Sequence, residues 1–172
     1  EMKDTTRLLK ESLKKTINLL QPNKFETFQQ KLVNSIRAET KQTISTLSEI
    51  RQLPKNKYLE FPQEDSEIKY FLNKLDWNKP WSSGAQFANL CVFAKTQLGD
   101  SEYEKTRVIL SDFSANLANS ETGAYYLNKI PSNQELINGS MKIISGLDWI
   151  DNPIHFPEKL IDLCLNIRPQ TE

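Results

Sequence analysis

Apolar residues in the first third of the chain recur at intervals of three and four, the spacing that places side chains on one face of an α-helix. One such face runs through residues 4–20, and after Pro22 a longer one continues to about Gln52. The apolar positions of the second face include Phe25, Phe28, Leu32, Ile36, Leu47 and Ile50. Two amphipathic helices joined by a short turn favour antiparallel packing. We therefore predict an N-terminal helical hairpin over residues 1–53.

The rest of the chain is predicted to be a connector followed by a helical body. Residues 54–63 contain two prolines and no apolar period, which favours an extended connector. The body, residues 64–172, carries five further helical patterns, at about 65–75, 83–98, 102–118, 133–147 and 158–167. The second of these is apolar around most of its circumference, so we expect it to be central. The predicted fold class is all-α.

Residue types that favour helix ends occur at the predicted boundaries. Gly99 stands where a C-cap glycine is common. Ser101 with Glu104, and Ser132 with Glu135, have the spacing of a capping box. These pairs predict where the helices over 102–118 and 133–147 begin.

An ordered series of residues occurs twice in the body. The triplet Leu-Asp-Trp at 75–77 returns at 147–149, 72 residues later. Each copy is followed by a proline and, eleven residues after that proline, by a cysteine, Cys91 or Cys164. We interpret this order as an internal repeat of about four helices, or two helical hairpins. Both cysteines lie in apolar runs and are predicted to be buried free thiols, which favours a cytoplasmic protein.

A glycine-aromatic loop and the helix after it suggest a family resemblance. The loop is Thr-Gly-Ala-Tyr-Tyr at 122–126, and the helix contains Asn-Gly-Ser-Met-Lys at 138–142. With the repeated hairpins, these residues make 64–172 similar to the α/α-toroid superfamily, which includes terpenoid cyclases and protein prenyltransferase β-subunits. The resemblance implies α/α-hairpin repeats arranged as an arc of a toroid, in which such a loop leads into an inner helix.

The catalytic motifs of that superfamily are absent from the sequence. Neither the Asp-x-Asp-Asp acid motif nor the Asp-Asp-x-x-Asp magnesium motif occurs. Protein prenyltransferases bind zinc through Asp, Cys and His, whereas the only histidine here is His155. Prenyl-transfer or cyclase chemistry is therefore not transferred to this chain. We predict no metal site and no cofactor, and whether the protein is an enzyme is left undecided at this stage.

Aromatic residues on the predicted loops are candidates for ligand binding. His155 could act as a general base beside Asp148 or Asp151, but a loop histidine bonded to the backbone is the favoured interpretation. Three aromatic residues have no counterpart in the other copy of the repeat and could stack against a sugar or an apolar ligand. The candidate ligand-binding residues are Trp81, Tyr125, Tyr126 and His155.

The charge balance narrows the classes of partner. Lys and Arg together number 22, as do Asp and Glu, so we predict no nucleic-acid partner and no attachment to an anionic membrane. No apolar run approaches the roughly 18 residues of a membrane span. The predicted partner is another protein or the remainder of a longer chain.

Two functional hypotheses follow. The leading one is a non-catalytic helical-repeat module that binds another protein or another part of a longer chain, and it requires an exposed apolar stripe. The alternative is an enzyme or ligand-binding domain of the α/α-toroid type that acts on a carbohydrate or isoprenoid-like substrate. It requires His155 and a carboxylate to converge on a cavity. A homodimer formed through the N-terminal hairpin is a third hypothesis.

Overall fold

The computed structural model describes residues 22–52 and 54–167, with side chains from residue 29 onward. The helices of this part are α1 (Pro22–Glu49), α2 (Asp65–Lys74), α3 (Pro80–Gln97), α4 (Asp100–Leu117), α5 (Asn133–Trp149) and α6 (Pro157–Asn166). Apart from a β-bridge between Ala118 and Tyr125, the regular elements described are helices, which confirms the predicted all-α class. None of the described helices is both long and apolar enough to cross a membrane.

The chain divides into two units, Glu1–Thr40 and Lys41–Glu172, and α1 contributes residues to both. In the first unit, Leu32 and Ile36 are exposed, although the apolar spacing had placed them on a packing face. The first predicted helix, residues 4–20, lies outside the described residues. The N-terminal hairpin therefore stays a prediction.

Helix α3 is the centre of the second unit, as its sequence predicts. Buried positions occur around its whole circumference, including Phe87, Leu90, Cys91, Val92, Phe93 and Ala94. The connector packs against one side of it: the ring of Tyr58 lies 4.8 Å from that of Phe93, and the ring of Phe61 lies 5.4 Å away. The backbone N–H of Tyr58 also donates to Oε1 of Gln97 at 2.9 Å. A helix without a polar face is stable here because each side has a neighbour.

Small residues let α3 and α5 pack closely and in parallel. A Cβ added to Gly84 would lie 3.0 Å from the carbonyl oxygen of Gly139. One added to Gly139 would lie 2.6 Å from Cβ of Pro80, and one added to Gly146 would lie 3.0 Å from Cα of Ala88. Earlier residues of α3 thus contact earlier residues of α5, and later residues contact later ones, so the two helices are parallel. The glycines serve close helix packing, since a larger side chain would force the backbones apart.

Helices α2 and α4 pack against each other beside this pair. Trp77, in the turn after α2, is buried with its ring 5.5 Å from that of Phe113 on α4. Its indole N–H donates to the carbonyl of Leu72 at 2.9 Å, so the polar atom of this buried ring is satisfied. In the second unit, α2 is thus a neighbour of α4, and α3 of α5.

Two of the predicted helix ends are corrected and one is confirmed. Gly99 does not cap α3 in a left-handed conformation: its φ is −77° and it is the N-cap of α4. Helix α4 begins at Asp100, so the capping box predicted from Ser101 does not form. Ser132 does cap α5, because its side chain accepts from the backbone N–H of Glu135. The short link between α3 and α4 leaves no room for a separate cap at Ser101.

The two copies of the repeated series occupy different structural positions. Trp77 is a buried turn residue, whereas Trp149 is the half-buried last residue of α5. Cys91 is buried in α3 as predicted, but Cys164 is exposed on α6, which corrects that prediction. The reason is packing: α3 is surrounded by neighbours, while α6 has Leu160 as its buried residue.

Candidate functional site

Of the four predicted ligand-binding residues, Tyr125 and His155 are brought into direct contact. Tyr125 is fully buried, and its hydroxyl accepts a hydrogen bond from the backbone N–H of His155 at 3.0 Å. The same hydroxyl lies 3.3 Å from Nδ1 of the imidazole, and the rings meet edge to face at 5.9 Å. This pair joins the 122–126 loop to the segment before α6.

The bonding of this pair favours a neutral imidazole. Because the Tyr125 oxygen accepts from a backbone N–H, its own proton is available for Nδ1 of His155. Burial lowers the pKa of His155 and raises the pKa of Tyr125, which favours the uncharged form of each. Among the described contacts, His155 has no hydrogen bond or ion pair with a carboxylate. The pair is thus arranged as a structural tie.

Tyr126 and Trp81 are placed separately from this tie. Tyr126 is buried in a small apolar cluster with Ala124, Leu136 and Leu160. Trp81 lies in the first turn of α3, is partly exposed, and donates its backbone N–H to a carboxylate oxygen of Glu135 at 2.9 Å. No described contact joins Trp81 to the other three candidates.

A cleft that the sequence did not predict lies elsewhere in the second unit. It has a volume of about 500 Å³ and is lined by Ser48, Glu49, Lys95, Thr96, Asp148, Trp149 and Asp151. Lys95 crosses it to Asp151, with Nζ 2.9 Å from Oδ2, and also lies 4.7 Å from the ring centre of Tyr103. The hydrogen bond to Asp151 raises the pKa of Lys95.

This cleft does not contain the predicted catalytic combination. Asp148 and Asp151 had been considered as partners for His155, but they line the cleft while His155 contacts Tyr125. In the described part of the chain, no three His, Cys, Asp or Glu side chains group closely enough to hold a metal ion. The Asp151 carboxylate is ion-paired with Lys95, and this ion pair in an open cleft does not make an activated nucleophile.

The second feature missed by the sequence is an exposed apolar surface on α6. Leu160 is buried and Leu163 half-buried against the body, while Ile161 and Leu165 are 57% and 77% exposed. Cys164 is exposed between them and has a free thiol. We call the surface formed by Ile161, Cys164 and Leu165 the α6 face. The sequence shows apolar residues around a wider part of this helix than one packing contact would bury. It does not show which of them face the body and which face solvent.

The 122–126 loop holds α6 in place so that this face points to solvent. Gly123 has a φ of +72°, and a Cβ there would lie 2.7 Å from the carbonyl oxygen of Phe156. Together with the Tyr125–His155 tie and the packing of Tyr126 on Leu160, this fixes the start of the helix. Phe156, the N-cap, itself has a left-handed backbone with φ 48° and ψ 52°. Such a conformation costs energy in a bulky residue, so the surrounding contacts must impose it.

Comparison with known proteins adds no relative. No family model matches the chain, and no match was found among curated proteins or solved structures. The similarity to the α/α toroid therefore rests on the residues that suggested it.

Proposed function

We propose that this protein is a non-catalytic helical module that binds another protein through the α6 face. The observation that carries the proposal is that, in the part of the chain that the structure describes, α6 packs along one side only. Ile161 and Leu165, one helical turn apart, project from the other side with more than half of each exposed. Contiguous exposed apolar side chains mark interaction surfaces, and burying them gains roughly 25 cal/mol for each Å² removed from water.

The shape of the α6 face favours a protein over a small molecule. Small ligands bind in concave sites that bury most of their surface. The α6 face is instead a ridge along a helix, and it is separate from the cleft around Lys95. A ridge is matched by the apolar surface of another protein.

The bonding of His155 supports a non-catalytic role. An enzyme of the toroid type would need this imidazole and a carboxylate at a common cavity. Its described partner is instead the hydroxyl of Tyr125, 3.3 Å from Nδ1. A histidine bonded to a buried tyrosine in this way positions the start of α6, and through it the α6 face.

The proposal includes the toroid-like arc as the arrangement that carries this face. Its support is the neighbour pattern of the second unit, where α2 packs with α4 and α3 packs in parallel with α5. Two layers of alternate helices are what stacked α/α hairpins produce. Helix α6 contacts the 122–126 loop through Gly123 and Tyr126, and in the proposed arc it would be the end helix of one layer, with no helix beyond it.

The two cysteines provide a direct test. A maleimide carrying a photo-activated cross-linker should label Cys164 alone, because Cys91 is fully buried and its burial raises the pKa of that thiol well above the usual range. We expect irradiation in an extract of the source cells to give a discrete cross-linked product. The substitution Ile161→Asp should remove that product, since it places a charge in the middle of the α6 face.

Val108→Asp is the matched control. Val108 lies on α4 and is 51% exposed, close to the exposure of Ile161, but it is outside the α6 face. This variant should keep the cross-linked product. A product that survives Ile161→Asp, or that disappears equally in Val108→Asp, would overturn the proposal, and so would the absence of any discrete product.

A further inference from the structure

We infer that the α6 face receives an amphipathic helix of another protein that carries Lys or Arg along one edge of its apolar stripe. The inference rests on the proposed function and specifies its partner. It comes from the charges around the face. Glu158 and Asp162 are exposed on α6, one turn apart, and neither has an ion pair in the described part of the chain.

Helix geometry places both carboxylates beside the apolar face. At about 100° per residue, Glu158 lies about 60° and Asp162 about 100° around the helix from Ile161, on the side of Leu165. The opposite edge of the face is formed by Leu160, which is buried against the body. The charged residues along the solvent edge of the α6 face are therefore acidic.

The one basic residue of α6, Lys159, offsets this edge only in part. It is exposed and precedes Asp162 by three residues, so it lies beside Asp162, but it is about 100° around the helix from Glu158. Two carboxylates and one ammonium group leave the edge acidic. A partner helix packed along Ile161 and Leu165 thus meets Glu158 and Asp162 at its own flank. Lys or Arg there would form ion pairs, while Asp or Glu would be repelled.

A second copy of this chain is a poor occupant because of these charges. In an antiparallel pair of α6 helices related by a two-fold axis, the same flanks face each other, so the two acidic flanks would lie side by side and repel.

The test uses two synthetic peptides of about 18 residues, long enough to be helical in isolation. Both carry leucine at helical spacing; one has lysine along one flank of the stripe, and the other has glutamate at the same positions. Each is titrated into the isotopically labelled full chain while backbone amide resonances are followed by NMR. We expect the lysine peptide to shift the amides of α6, with an affinity that falls as salt is raised.

Reversing the charges of Glu158 and Asp162 tests whether they select the peptide. The double substitution Glu158→Lys with Asp162→Lys should weaken the lysine peptide about tenfold and make the glutamate peptide the tighter ligand. Ile161→Asp should abolish binding of both, and Val108→Asp should change neither. All four positions are exposed, so the variants are expected to fold, which circular dichroism will check.

The outcomes separate this inference from the proposed function. If the glutamate peptide binds the wild-type chain as tightly as the lysine peptide, and Ile161→Asp abolishes both, the basic partner is wrong while the α6 face stands as a protein-binding surface. If neither peptide shifts α6, or if Ile161→Asp leaves binding unchanged, both are wrong.

Discussion

Helices α3 and α6 begin alike and are packed very differently. Each has proline as its first residue, and each carries a Leu-Cys pair within a largely apolar run. Yet Cys91 on α3 is fully buried and Cys164 on α6 is exposed. The difference lies in the neighbours. Gly139 and Gly146 allow α5 to lie against α3, whereas within residues 22–52 and 54–167 the covered side of α6 runs along Leu160 and Leu163.

The comparison shows that the neighbouring elements decide whether an apolar helix surface becomes part of the core or stays exposed. On α3 every side has a partner, so its apolar residues stabilise the fold. On α6 the same kind of residue is left uncovered at Ile161 and Leu165. The proposed function requires a binding partner to bury these two side chains.

The largest expected effect is the contrast in stability between truncating the two helices. Phe87→Ala on α3 should lower the free energy of unfolding by about 3–5 kcal/mol, because the ring is fully buried. Leu165→Ala on α6 should change it by less than about 0.5 kcal/mol, because the side chain is 77% exposed. Urea denaturation followed by circular dichroism measures both. Equal losses for the two variants would mean that the two helices are packed alike.

The next effect concerns the glycines that let α5 approach α3. Gly139→Ala should cost about 2 kcal/mol in unfolding free energy, because the new Cβ would lie 2.8 Å from a backbone carbon of Pro80 that cannot move aside freely. Gly99→Ala is the comparison: its Cβ would meet the end of the flexible Glu102 side chain, so we expect only the loss of up to about 1 kcal/mol that alanine causes at an N-cap. Thermal unfolding of both variants provides the comparison, and a stable Gly139→Ala protein would refute the close packing.

A smaller effect is expected from the tie that positions α6. Tyr125→Phe removes the hydroxyl that accepts from the backbone N–H of His155, so the free energy of unfolding should fall by about 1 kcal/mol. Hydrogen exchange should rise in α6 and stay unchanged in α3, since the lost bond lies at the start of α6 alone. Uniform acceleration across both helices would show instead that the tie supports the whole unit.

The smallest effect is a dependence of stability on pH. Because burial lowers the pKa of His155 from 6.5 in the folded protein, the unfolded chain binds the proton more readily. The contribution of His155 to stability is therefore complete above about pH 6.5 and is lost as the pH falls from there towards the folded pKa. Denaturant midpoints for the wild type and His155→Gln should converge at low pH. A midpoint difference that is constant across this range would contradict the lowered pKa of His155.

The sequence predicted most of the helices because their apolar spacing is local information. The bounds of α2 and the central place of α3 followed from that spacing, and the N-cap of α5 followed from Ser132. The N-cap of α4 was wrong because two neighbouring residue types both favour a helix start there. The preference of a residue type for a helix end is worth only about 1 kcal/mol, so the length of the connecting segment decides where α4 begins.

The candidate site was less predictable because it depends on which surfaces meet. Tyr125 and His155, 30 residues apart, were both singled out, but the sequence did not show that one would bond the other. Cys164 was predicted to be buried because an apolar run does not state which side is covered. The cleft around Lys95 and Asp151 joins residues 56 positions apart, which no local pattern reveals.

The central claim, that the α6 face is a binding surface, is tested most directly by methyl NMR with a soluble paramagnetic agent. In the isolated chain, the methyl groups of Ile161 and Leu165 should be strongly relaxed by the agent, while those of Leu90 on α3 should be protected. Adding an extract of the source cells should protect the two α6 residues and leave exposed Val108 unchanged. Ile161 and Leu165 methyl groups that stay as strongly relaxed in the extract as in the isolated chain would contradict the claim.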